Sequence, residues 1–262
     1  MNQPNYCLLI PHYNHAKQLL DFFPKLQVSG LVIVIVDDGS DQENKGRVES
    51  LAAEHSNVHC FFHAKNRGKG AAVKTGFVFA RHLGFSHAIQ IDADGQHSPE
   101  DIPNFIECSK KKPSALICGK PIFDDSVLKV RQYGRKFTDF WIALESLSLK
   151  VEDSLCGFRV YPISEMESLL DDSFISSQMD FDPEIIVKAI WYNIELEFVP
   201  TNVIYPKQGV SHFNYLRDNL LFIQLHTRLM FGMVFRIPPL LSRKFGLVEF
   251  FSVDKSMRNS KQ

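Results

Sequence analysis

Leu31-Val32-Ile33-Val34-Ile35-Val36 runs without a polar residue straight into Asp37-Asp38-Gly39-Ser40. A continuous apolar, mostly β-branched run of this length suits a strand covered on both faces, as in a central parallel strand. The acidic, glycine-containing turn ends it. Working outward, residues 6–10 form a second apolar run, closed by Pro11. Helices are expected over 16–26, 45–55 and 69–82, the last entered through Gly68 and Gly70. Further strands are expected over 58–63, over 87–91 up to Asp92, and over 115–118. Ser98 reads as a helix cap with Pro99 at the first position. This alternation predicts an α/β sandwich with a mainly parallel sheet.

The second half is less regular. Residues 130–150 read as a helix bearing aromatics, 153–162 as a loop running into a short strand, 182–191 as a helix and 195–204 as extended. Residues 219–241 are apolar and aromatic, interrupted by Gln224, His226, Arg228 and Arg236. Pro238-Pro239 is expected to end that stretch, with Arg243-Lys244 following. The chain thus divides into a catalytic domain over 1–213, a C-terminal helical segment over 214–251 and a polar, disordered tail over 252–262. Amphipathic helices lying on a membrane, with basic residues at the headgroups, fit the C-terminal segment. Helices packed on the domain or in a dimer fit it too, so an oligomer stays open.

With 262 residues the chain can bury a substantial core. Its formal net charge of −1 gives no reason to expect nucleic acid as a partner. The five cysteines show no CxxC pair and read as buried free thiols in a reducing compartment. The N-terminal residues lack the layout of a signal peptide. No uncharged apolar run reaches the roughly 20 residues of a spanning helix. A cytoplasmic protein, peripheral on the cytoplasmic face of the membrane, is expected.

Ligands in open α/β sheets bind beyond the carboxyl ends of the strands. Three polar clusters lie at such ends: Pro11-His12-Tyr13-Asn14, Asp37-Asp38-Gly39-Ser40 and Asp92-Ala93-Asp94-Gly95-Gln96-His97. Two carboxylates two residues apart can reach one hard cation, and Mg2+ or Mn2+ commonly bridges such oxygens to substrate phosphates. Read alone, the same segment is also ordinary turn chemistry. Asp37-Asp38 can accept hydrogen bonds from a base or ribose, or cap a helix. Asn66-Arg67-Gly68-Lys69-Gly70-Ala71 opens a helix and can bring backbone close to a phosphate, though it is not a Walker loop.

Taken in order with Cys156-Gly157-Phe158-Arg159, these motifs resemble the family-2 glycosyltransferases of the GT-A fold over about residues 5 to 205. Within them the chain looks most like the dolichyl- and polyprenyl-phosphate sugar synthases. The resemblance implies a nucleotide-sugar donor site. Pro11 and Tyr13 would line the nucleotide pocket, with Asn14, Asp37, Lys69, Ala93 and Arg159 in the donor site, and Asp38 on the base or ribose. Asp92, Asp94 and Gln96 would hold the metal–diphosphate unit, with Lys120 and Arg135 near the phosphates. Asp153 would act as base or orient the acceptor, with Asp182 and Glu184 as acidic alternatives.

Two departures bear on the acceptor. His15 stands where the family often has glutamate. Near residues 205–213, Lys207 and His212 replace the arginine and lysine that relatives carry around a Gly-x-Ser turn. A lipid-linked acceptor follows, either a polyprenyl phosphate or a lipid hydroxyl. Only the hydroxyl needs a general base. The expected chemistry is a single displacement that inverts the anomeric centre. A nucleotidyltransferase or a non-catalytic nucleotide-sugar-binding module remains as an alternative.

Overall fold

The strands are β1 (Tyr6–His12), β2 (Val32–Asp37), β3 (Val58–Phe62), β4 (His87–Gln90), β5 (Leu116–Ile122), β6 (Arg159–Pro162) and β7 (Leu196–Asn202). They join one sheet in the order β3-β2-β1-β4-β6-β5-β7. This is a computed structural model, and it describes residues 3–123, 129–203 and 215–244. Strands β3, β2, β1 and β4 run parallel, as do β5 and β7, while β6 lies antiparallel between β4 and β5.

The apolar run around Val34 is central because both its faces are covered. Ile33 and Ile35 join Leu8 and Ile10 in a core against α1 (Ala16–Gln27), α2 (Gln42–Glu54) and α4 (Ile102–Lys111). Val34 and Val36 join Leu9 in a second core on the opposite face. That core packs against α3 (Lys69–His82), α5 (Lys129–Ser146), α6 (Ile163–Asp172) and α7 (Phe181–Trp191). Alternation with period two thus builds an αβα sandwich. Each fully buried aliphatic side chain contributes about 1.5–3 kcal/mol relative to exposure.

Several boundaries differ from the sequence expectation. Helix α2 begins three residues early because the Asp41 carboxylate accepts from Asn44 N–H and caps it. Strand β5 runs on to Ile122 by pairing with β7, so Gly119-Lys120-Pro121 lies in the strand. Helix α5 stops at Ser146, where Leu147 turns to φ +50. Helix α6 was not expected at all. Pro238-Pro239 does not end a helix: it sits in the first turn of α9 (Ile237–Lys244), where missing N–H groups cost nothing.

Helix α8 (Tyr215–Val234) packs on the catalytic core through Leu225, Leu229 and Met233. His226 Nδ1 meets Glu145 of α5 at 2.8 Å, and Arg228 meets Glu184 of α7 at 2.8 Å. Among the described residues no single helix is long and apolar enough to cross a membrane. Asn219–Val234 and Ile237–Arg243 pass that test only together, bent by 71°. The 252–262 tail lies outside the described residues.

Candidate active site

Because β2, β1 and β4 are parallel neighbours, their carboxyl ends bring the three polar clusters side by side. On the β1–β2 side the two aspartates are held inward. Asp37 accepts from Ser40 N–H and meets His12 Nδ1 at 2.7 Å. Burial acts to raise its carboxyl, but the hydrogen bonds from His12 and Ser40 outweigh it and hold the group below its ordinary value. Asp38 meets His63 Nδ1 at 2.6 Å and accepts from Arg67 N–H and Gly68 N–H. It therefore shapes the Asn66–Gly70 turn, with three of its acceptor positions used by the protein. The partner histidines His12 and His63 were not singled out from the sequence. Nothing at short range links either to its aspartate, 25 residues away.

Around that turn, Pro11 and Tyr13 are half-buried at the end of β1. Asn14 adopts φ +53 and accepts from Asp41 N–H, so its side chain serves the loop.

The acidic centre lies after β4. Lys69, the first residue of α3, places its ammonium 2.9 Å from Asp92 Oδ2 and 2.7 Å from Asp182 Oδ2. Asp92 Oδ1 accepts from Gln90 at 3.3 Å. Burial works to raise the Asp92 carboxyl, but Lys69, His97 and Gln90 hold it below its ordinary value. Asp94 goes the other way. Burial first, then the charge of Asp92, push it up to about 6. His97 is pushed by burial down to about 4, so its ring is neutral near pH 7. Ala93 is the exception in this segment, because its methyl packs into the core and only its backbone can face a ligand.

This donor set fits a divalent ion of one kind. Among the described residues no three His, Cys, Asp or Glu side chains converge as a protein cage. Instead Asp92 and Asp94 repel one another, Gln90 Oε1 is buried without a hydrogen bond, and Asp182 Oδ1, also without one, has Arg159 Nη1 3.9 Å away. Oxygen-rich sites that leave positions for substrate phosphates suit Mg2+ or Mn2+. Gln96 donates its N–H to Asp94 Oδ1, closing the turn after Gly95 at φ +71.

Gly157 faces this centre from the other side. A Cβ there would lie 2.2 Å from Asp92 Oδ2. The glycine of Cys156-Gly157-Phe158-Arg159 therefore lets the loop close onto the Asp92 carboxylate.

The remaining candidates are engaged elsewhere. Arg159 is completely buried and donates to the carbonyls of Cys156, Asp182 and Ser154 at 2.8, 2.8 and 2.9 Å. It braces the loop and does not reach a donor, against expectation, because it points inward from β6. Asp153 is likewise buried and paired bidentately with Arg135 at 2.7 and 2.9 Å, while accepting from Leu155 and Cys156 N–H. Neither partner of that pair is a free base or a free phosphate ligand. Glu184 turns away from Asp92, toward Arg228 and Ser176 N–H. Of the two acidic alternatives to Asp153, Asp182 joins the Asp92 centre through Lys69 and Glu184 does not. Lys120 is half-exposed and pairs with Glu152. Lys207 and His212 lie outside the described residues.

Comparison with known proteins agrees with this architecture. The chain is 26% identical to a UDP-N-acetylglucosamine–dolichyl-phosphate N-acetylglucosaminyltransferase of Methanococcus voltae, over 78% of this chain and 87% of that one. It is 24% identical to an undecaprenyl-phosphate mannosyltransferase of Micrococcus luteus, over 78% and 85%. The fold is similar to that of a mannosyltransferase from Pyrobaculum calidifontis solved with GDP-Man and Mn2+, with a TM-score of 0.55, 16% identity and coverage of 80% of this chain and 59% of that one. The sandwich is thus the GT-A architecture. The chain's relatives include enzymes named for polyprenyl-type lipid phosphates; the model of glycosyl transferase family 2 matches residues 7–164, and the chain belongs to that family.

Proposed function

We propose that this glycosyltransferase moves a sugar from a nucleoside-diphosphate sugar onto the phosphate of a polyprenyl-type lipid, inverting the anomeric centre. One observation carries the choice of acceptor: each acidic residue expected to serve as base is already held by a cation. Asp153 is bound to Arg135, Asp182 to Lys69 and Glu184 to Arg228. A hydroxyl nucleophile requires a base in hydrogen-bond reach. A phosphate is ionised at neutral pH and needs none. Relatives that act on dolichyl and undecaprenyl phosphates support the same reading.

In this mechanism an acceptor phosphate oxygen forms a bond to C1 of the sugar. The bond from C1 to the donor diphosphate breaks, and the nucleoside diphosphate leaves with the electron pair. Asp92, Asp94 and Gln96 would hold Mg2+ or Mn2+, which supplies positive charge to the departing diphosphate. Lys69 adds an ammonium at the same place. Gly157 and Arg159 hold the loop that sets the position of Asp92. The Asn66–Gly70 turn is fixed by Asp38, which accepts from Arg67 and Gly68 N–H, and by Ser177 O, which accepts from Ala71 N–H, so it sets the start of α3 and with it the position of Lys69.

A lipid acceptor calls for work at a membrane surface. Tyr133, Phe137, Phe140 and Leu144 recur at helical spacing along α5 and are exposed. Leu220, Ile223, Phe231 and Val234 continue this apolar exposure on α8, which packs beside α5. Exposed apolar area on this scale marks an interaction surface, and it supports peripheral attachment to a membrane. The test is transfer of labelled sugar from UDP- and GDP-sugars to polyprenyl phosphate and to the matching free polyprenol. Labelled polyprenyl phosphate alone is expected. Transfer to the free alcohol, or product with retained anomeric configuration, would reject the proposal.

A further inference from the structure

The Lys69 ammonium is in an unusual place. It lies between two carboxylates, one from the segment after β4 and one from the first turn of α7, and its side chain is only 15% exposed. Its backbone is clamped. Gly68 at φ +98 donates to Asp38, and a Cβ there would meet Ser177 O at 2.3 Å. A Cβ on Gly70 would meet Ser176 O and Phe181 at 2.7 Å. The stem therefore starts from a fixed point, while its four carbons leave the charged end able to swing. Both Asp92 oxygens are engaged, by Lys69 and by Gln90. A divalent ion brought to Asp92 meets a positive charge already on it.

We infer that Lys69 is a positioning residue that makes metal binding wait for the donor. In the donor-free enzyme its ammonium bridges Asp92 and Asp182 and opposes a free divalent ion. A nucleoside diphosphate offers that ammonium a phosphate oxygen in place of Asp92, which is released to the metal while the 2.7 Å contact with Asp182 is kept. This rests on the reading of Asp92 and Asp94 as the metal site. It makes the tethered lysine and the metal alternate partners of one carboxylate, so that nucleotide and metal bind synergistically.

The test is Mn2+ binding followed by the electron paramagnetic resonance of free Mn2+, with and without GDP or UDP. The wild type should bind Mn2+ at least about tenfold more tightly with its nucleotide than without. Lys69→Met should bind nucleotide-free Mn2+ about tenfold more tightly than the wild type, and its nucleotide enhancement should shrink to about threefold or less. Lys69→Arg should behave like the wild type, because it keeps the charge. Should Lys69→Met fail to fold, Lys69→Gln retains a hydrogen bond to one carboxylate and should show the same gain. Nucleotide-free Mn2+ affinity unchanged or weakened in the neutral variants would overturn the role given to Lys69, with the metal site itself intact. No Mn2+ binding by the wild type with either nucleotide would overturn the metal reading and this inference together.

Discussion

Replacing Gly157 by alanine tests the acidic centre at a position that carries no chemistry of its own. The added Cβ would lie 2.2 Å from Asp92 Oδ2 and 2.7 Å from its Cγ. An ordinary carbon–oxygen contact is about 3.3 Å, so the carboxylate must retreat by about 1 Å. The end of a side chain can move that far without disturbing the sheet, so the cost in stability should stay near 1 kcal/mol. The carboxylate would then lose its 2.9 Å contact with Lys69 and its place beside Asp94. A displacement of this size at a reacting centre costs about a hundredfold in rate. The assay is transfer of labelled sugar to polyprenyl phosphate at saturating donor, with thermal melting in parallel. A fall of about two orders of magnitude in kcat, with Tm lowered by no more than about 4 °C, is expected. Activity within twofold of the wild type would refute the placement of Asp92 in the catalytic centre. Unfolding at ambient temperature would refute the claim that only the carboxylate yields.

Four further outcomes follow from the same contacts. Asp153→Asn keeps an acceptor for the Leu155 and Cys156 N–H groups but loses the Arg135 charge pair. It should cost about 2 kcal/mol, with kcat reduced less than about tenfold, whereas a lost base would cost about a hundredfold or more. Gly68→Ala forces a Cβ to 2.3 Å from Ser177 O at a φ of +98. It should destabilise by about 2 kcal/mol or more, read by chemical denaturation. Arg228→Met strands the buried Glu184, whose carboxyl burial already raises despite Ser176 and Arg228. The expected loss is about 2 kcal/mol, below a fully buried pair because Arg228 is 39% exposed. A carboxyl whose folded-state pKa is raised destabilises above that value and ceases to as pH falls through it. The deficit of Arg228→Met should therefore be largest at pH 8 and shrink toward pH 5; a deficit that grew on acidification would contradict this. Phe137→Glu with Phe140→Glu charges two side chains that are each 64% exposed. Binding to phosphatidylglycerol vesicles should fall about tenfold, while transfer to a short-chain soluble polyprenyl phosphate stays within about twofold.

The sheet was legible because its signals are local. A β-branched run ending in Asp37-Asp38, and glycines flanking Lys69, specify a strand and a helix start without knowledge of what packs on them. The same holds for the crevice, since parallel strand order alone brings His12, Asp37 and Asp92 together. Helix α6 was also readable: Ile163, Met166 and Leu169 repeat at three-residue intervals and are all buried. It was missed because it begins immediately after β6, with no polar break between them. What the chain order hides is pairing. Arg159 resembles a phosphate ligand in a list of motifs, but its strand register directs it into the interior. Asp153 resembles a base until Arg135, from a different element, takes both oxygens. Glu184 and Asp182 stand two residues apart on α7, and only their helical phase sends one toward Lys69 and the other toward Arg228.

The charge balance of the centre gives these pairings a common reason. Asp92, Asp94 and Asp182 carry −3 when all are ionised, while Lys69 and the buried Arg159, whose Nη1 lies 3.9 Å from Asp182 Oδ1, carry +2, which leaves −1 on the centre. A diphosphate does not approach such a centre unaided, because like charges repel strongly where burial lowers the dielectric. The raised carboxyl of Asp94 is the sign of that excess, arising from burial and the neighbouring charge of Asp92. One divalent cation turns the sum to +1, which attracts an anion, whereas a monovalent one only cancels it. Asp153 and Glu184 add nothing to the excess, because each is neutralised by an arginine. Removing either arginine would therefore add a negative charge close to a site that must admit an anion, and Arg135, whose partner lies on the Gly157 loop, should affect donor affinity more than Arg228 does.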